Sequence, residues 1–122
     1  MKFLILILIF TSCYKIECEK LIVNAKNREC LIIVKEFSPF QKPFLNIKGI
    51  NLYDKTECTC KDEGRWWAIY INEIEIGDTI IKRKGELTFN IHKKDTIISH
   101  EWECDGEIYN VDGTVKKVLK KR

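Results

Sequence analysis

The sequence predicts a small all-β domain, a sandwich or partly open barrel of about seven antiparallel strands. Three observations carry that reading. β-Branched residues dominate, with 19 Ile, 5 Val and 7 Thr against only 2 Ala, the strongest helix former. Short apolar or alternating segments follow one another with turn chemistry between them. No amphipathic helical stretch of length intervenes, and a helical turn is expected only in the basic tail, where Val115, Val118 and Leu119 have helical spacing. At 122 residues, 45% hydrophobic and with only 6 Gly and 2 Pro, the chain suits one folded core and excludes disordered, collagenous and multidomain classes.

Met1-Lys2, the apolar run 3–10 and the small pair Thr11-Ser12 have the order of an export signal: basic, apolar, then small. The run is short, because a membrane-spanning helix needs ~20 apolar residues. Phe10-Thr11-Ser12-Cys13 resembles the lipobox of bacterial lipoproteins, an apolar residue and two small ones before the cysteine that receives diacylglycerol. That resemblance implies that Cys13 is lipidated and becomes the first residue of the mature chain, anchoring it to a membrane of the cell envelope. Residues 1–12 then form the signal peptide, 13–20 a tether, 21–114 a single β domain and 115–122 a basic tail. A soluble secreted protein cut by an ordinary signal peptidase is the alternative.

Six cysteines stand at 13, 18, 30, 58, 60 and 104, and small exported chains normally pair them. With Cys13 acylated, Cys18, Cys30, Cys58, Cys60 and Cys104 remain as disulfide candidates and one stays free. Without acylation, six cysteines could form three disulfides, so the two readings exclude each other. Cys58-Thr59-Cys60 puts two thiols on one face of a strand, where each is expected to pair elsewhere than with the other. Cys58, Cys60, His100 and Cys104 have zinc-ligand chemistry, but C-x2-C spacing is missing and an oxidising compartment favours disulfides. No metal or cofactor is expected.

Leu21-Ile22-Val23 and Cys30-Leu31-Ile32-Ile33-Val34, separated by polar residues, read as an opening hairpin. Residues 37–44 hold both prolines together with Phe37, Phe40 and Phe44, a loop that either caps the core or offers a binding surface. Trp66-Trp67-Ala68-Ile69-Tyr70-Ile71 is apolar at every alternating position and reads as a central strand. Leu87, Phe89 and Ile91 alternate with Thr88, Asn90 and His92, a half-buried strand. Asp105-Gly106 offers a type I′ hairpin that sets Trp102 against Tyr109 and His100 against Val111. It turns Ile98, Trp102, Cys104, Tyr109 and Val111 to one face, and Glu101, Glu103 and Asn110 to the other.

The segment Gly77-Asp78-Thr79-Ile80-Ile81-Lys82-Arg83-Lys84-Gly85, with Lys94-Asp95-Thr96-Ile97, resembles a pattern in small uncharacterised exported proteins of the Bacteroidota type, over about residues 66–104. The resemblance implies a β-rich fold and no known activity. Its turn rhythm is also similar to that of biotinyl and lipoyl carriers, whose modified-lysine hairpin this chain lacks.

No G-x-S-x-G, P-loop, H-E-x-x-H or dinucleotide fingerprint occurs, so an enzyme is not expected. His100 is the best residual site, but Glu101 and Glu103 point away from it in a strand, and Glu73 and Glu75 beside a turn read as a solvated edge. Residues 116–122 hold five positive charges, a solvated tail or one drawn to anionic headgroups and envelope polymers. The expectation is an envelope-anchored binding or structural module whose partners are the membrane, an anionic polymer or a protein, not nucleic acid. A periplasmic inhibitor or immunity protein is the alternative.

Overall fold

The computed structural model describes residues 17–37, 45–62 and 66–119. Among these residues nine strands form two antiparallel sheets in a sandwich-like all-β fold, two more strands than expected. The larger sheet contains β1 (Cys30–Phe37), β2 (Leu45–Asn51), β3 (Glu57–Asp62), β4 (Thr79–Lys82), β5 (Thr88–His92) and β6 (Ile97–Glu101). Its order is β3-β2-β1-β4-β5-β6, so its edges are β3 and β6 and it does not close into a barrel. The smaller sheet is a ribbon of β7 (Glu103–Cys104), β8 (Glu107–Tyr109) and β9 (Val115–Val118) in that order.

One face of the larger sheet carries the core, and strand alternation decides which residues reach it. Ile32, Ile47, Ile80, Phe89 and Ile91 are fully buried there. The alternation expected around Leu87, Phe89 and Ile91 is present, with all three buried. A Cβ added at Gly49, where β2 faces Val34 of β1 and Cys58 of β3, would collide with the Ile33 carbonyl oxygen. Only glycine fits that close approach.

Three expected elements take a different form. The first strand of the opening hairpin is instead the helix α1 (Cys18–Asn27). Its buried residues Cys18, Ile22 and Ala25 recur at helical spacing, while Leu21 and Val23 face outward. Glu19 in the first turn and Lys26 in the last match the helix dipole. The expected central strand is a 3-10 helix, Trp67–Glu73, on the connection from edge strand β3 to central strand β4. Its apolar residues wrap the core instead of alternating across a sheet, so Trp67 is buried and Ile69 exposed. The helical turn expected at Val115, Val118 and Leu119 is not formed: residues 115–118 are a strand paired with β8, exposed at every position.

The Asp105-Gly106 turn has positive φ at both residues, as a type I′ turn requires. Cys104 pairs with Glu107, and the Trp102 and Tyr109 rings meet with centroids 5.5 Å apart. The expected strand divides at Trp102, however. Its first half pairs with β5, so His100 faces Phe89 and not Val111, which is exposed.

Lys82 is a charged residue at the core. Its side chain is fully buried, and its ammonium donates to the carbonyls of Arg28 at 2.7 Å and Arg83 at 2.8 Å. It thereby satisfies the carbonyl that ends α1 and ties the helix to β4. Burial holds its pKa at about 8, well below the usual lysine range, although nearby Glu86 and Glu29 oppose the shift.

Candidate functional site

The 3-10 helix repeats every three residues and therefore sends Trp67, Tyr70 and Glu73 toward the same side. Trp67 and Tyr70 both approach the Phe89 ring, with centroids 5.3 and 5.6 Å away. Tyr70 also lies flat on His100, at 3.7 Å and an interplanar angle of 7°. One turn further on, Glu73 brings Oε1 to 2.6 Å from His100 Nε2. A carboxylate accepts only, so Nε2 carries the hydrogen of that bond. Burial raises the pKa of Tyr70; the charges of Glu103 and Glu73 raise it further, and the Trp66 indole opposes them.

The solvated reading holds for Glu75, whose side chain is 78% exposed, and is corrected for Glu73, which is partly buried against His100. Glu73 holds His100, and Glu75 Oε1 accepts from Lys93 Nζ at 3.0 Å. Lys93 also reaches Asp78 Oδ2 at 2.6 Å, and Asp78 is buried and accepts the Glu75 backbone N–H. The hydrogen bond that Lys93 donates to Asp78 is the largest cause of the raised pKa of Lys93. The i, i+3 spacing of Trp67, Tyr70 and Glu73 was the sequence signal for the first of these contacts.

Beside the Tyr70–His100 stack, α1 and the 3-10 helix bound a groove of about 370 Å³. Trp66, Tyr70 and Trp102 give it aromatic lining, and Arg28 and Glu103 add one charge of each sign. Leu21 and Ile69 line it with much of their surface in solvent, 47% and 69% exposed. Trp66 contacts both core clusters, the one under the 3-10 helix and the one between α1 and Trp102. The groove is thus attached to the best-packed parts of the molecule.

Two disulfides fix this arrangement. Cys18–Cys104 ties α1 to the ribbon, and Cys30–Cys60 joins β1 to β3 across the core. Cys60 pairs elsewhere than with its neighbour, as expected, whereas Cys58, expected to do the same, is free and half-buried. Burial raises the Cys58 pKa, and the charge of Asp54 adds to it. Disulfides suit a chain that folds in an oxidising compartment, periplasmic or extracellular. No helix among the described residues is long and apolar enough to cross a membrane.

Cys60 and Cys104 are engaged in separate disulfides, which removes them from the zinc-ligand set considered from sequence. Among the described residues no group of three or more His, Cys, Asp or Glu side chains is placed to hold a metal ion. Of the three loop phenylalanines, Phe37 ends β1, pairs with Ile47 and packs partly buried on the core. Phe40 and Phe44 lie outside the described residues, as does Cys13. Comparison with family models, curated proteins and solved structures gives no match.

Proposed function

We propose that the chain is an exported, lipid-anchored envelope protein that acts as a binding module, and that the groove between α1 and the 3-10 helix is its contact surface. The observation that carries the binding role is the exposure of Leu21 and Ile69 beside aromatic lining held by two disulfide-stapled cores. A rigid concave apolar surface with few polar groups favours recognition of an apolar side chain. Arg28 and Glu103 together favour a protein segment over an anionic polymer, which Glu103 would repel. The same surface suits an inhibitor or immunity protein, which needs only a rigid scaffold presenting such a contact.

The anchor rests on the leader and on cysteine arithmetic. Four of the five cysteines beyond the lipobox are paired and Cys58 is free, the odd remainder expected when Cys13 carries lipid. Intact mass and thiol titration of the chain from the membrane fraction test it. A diacylglycerol adduct lost in Cys13→Ala, with one titratable thiol, is the expected result. An unmodified soluble species with a third disulfide and no free thiol would replace the reading with that of a secreted protein. For the contact surface, a photo-crosslinking residue at position 69 should capture one stoichiometric protein, and Leu21→Ser should abolish the capture. Crosslinks to polymer alone would overturn the choice of partner.

A further inference from the structure

We infer that the free edge of β3 pairs with β3 of a second copy, antiparallel about Thr59, extending the sheet through a two-fold axis. The larger sheet ends at β3 and β6, and the two edges differ in what they offer. On β6, Glu101 is bound to Lys116 at 2.5 Å and His100 to Glu73, so its polar side chains already have partners within the chain. Self-pairing of β6 about Ser99 would also set Ile97 against a glutamate, with no gain in charge or apolar contact.

On β3, Glu57, Thr59 and Lys61 are exposed on one face, and among the described residues neither charge has an ion-pair partner. A two-fold axis at Thr59 places Glu57 opposite the partner's Lys61 and Lys61 opposite the partner's Glu57. Moving the axis by one residue loses both pairs, so the strand's own sequence selects one register. Edges protected against pairing usually carry lysines, proline or a bulge. The face of β3 that presents Glu57, Thr59 and Lys61 instead carries one charge of each sign, spaced symmetrically about Thr59, which is self-complementary in the way an isologous interface requires.

A groove of about 460 Å³ runs inward from Glu57, Cys58 and Thr59 over Lys48 and Gly49 of β2 to Lys35 and Glu36 of β1, so the case for the edge rests on its unpaired backbone and on the charge pattern of its exposed face. The pairing needs nothing from the lipid anchor, so its failure and that of the anchor are separate results.

Charge reversal tests it on the full chain in density-matched detergent, by sedimentation equilibrium. The parent is expected to be a dimer. Lys61→Glu and Glu57→Lys should each raise the dissociation constant about tenfold or more, because each turns two attractive pairs into two repulsive ones. The double variant Glu57→Lys/Lys61→Glu should regain the parent value, which a merely misfolded strand would not. A monomeric parent, single variants that dimerise like the parent, or a double variant without rescue would each overturn the inference.

Discussion

Tyr70 and His100 lie face to face, ring centroids 3.7 Å apart, although one belongs to a helical turn and the other to an edge strand. Glu73 closes the contact from the next turn, so one imidazole takes both a ring and a carboxylate from a single 3-10 helix. The 3-10 helix is thereby fastened to the sheet at its exposed border as well as through Trp67 in the core.

This clasp should be measurable as coupling. Glu73→Ala and His100→Ala are each expected to destabilise the fold, and the double variant by less than their sum. A coupling energy of about 1 kcal/mol fits a partly exposed charge-assisted bond. Urea unfolding of the four proteins supplies the cycle, and strict additivity would mean that the two groups do not interact.

Lys82 makes stability depend on alkaline pH. Its folded pKa of about 8 lies below the unfolded lysine value of 10.5, so between those values the unfolded chain binds the extra proton. Stability therefore rises as pH increases through that window, by a total of about 3 kcal/mol if Lys82 alone contributes. Denaturant titrations from pH 7 to 10.5 in a Cys58→Ser background, which prevents thiol exchange, should show the rise. Lys82→Met should flatten it.

The two disulfides should differ in worth. Cys18 and Cys104 are 86 residues apart and Cys30 and Cys60 are 30 apart, so loop-closure entropy assigns about 4–5 and 3–4 kcal/mol respectively. Cys18→Ser/Cys104→Ser should also raise hydrogen exchange across α1, whose ten residues are too few to hold a helix alone. Equal protection of α1 in both double variants would count against that division of labour.

At Gly49 the cost of a side chain is steric. Gly49→Ala is expected to destabilise by about 2 kcal/mol or more, because the obstructing atom is a backbone carbonyl that cannot rotate away. Gly77 has φ +98 with open space around its missing Cβ, so Gly77→Ala should cost about 1 kcal/mol, from conformation alone. Thermal melts of the two variants distinguish these causes by magnitude.

What the sequence disclosed was chiefly local. Alternation at Leu87, Phe89 and Ile91 needs only the strand period, and Asp105-Gly106 needs only a dipeptide that accepts positive φ at both positions. What it concealed depended on distant partners. Residues 18–27 hold the short apolar run Leu21-Ile22-Val23 between polar residues, which reads as a strand, yet they form a helix bonded through Cys18 to a cysteine 86 positions away. Residues 66–71 are apolar enough for a central strand, but the sheet centre is occupied by β1 and β4, and the segment crosses over their face. In the tail, the spacing of Val115 and Val118 fits a helical turn, whereas pairing with β8 makes it a strand. For the candidate site, His100 was visible as an isolated histidine; its carboxylate partner came from a 3-10 turn that a strand reading obscures.

The Cys18–Cys104 bond also gives the molecule a load path. Tension applied between the residues before α1 and the C-terminal end enters at Cys18 and leaves at Cys104 through sulfur, bypassing the helix, all six strands of the larger sheet and both sides of the groove. Only the ribbon beyond Cys104 lies in series with the pull. A protein held to a surface by its N-terminal side could thus be tugged by its tail and shed β9 first, while its contact surface keeps its shape.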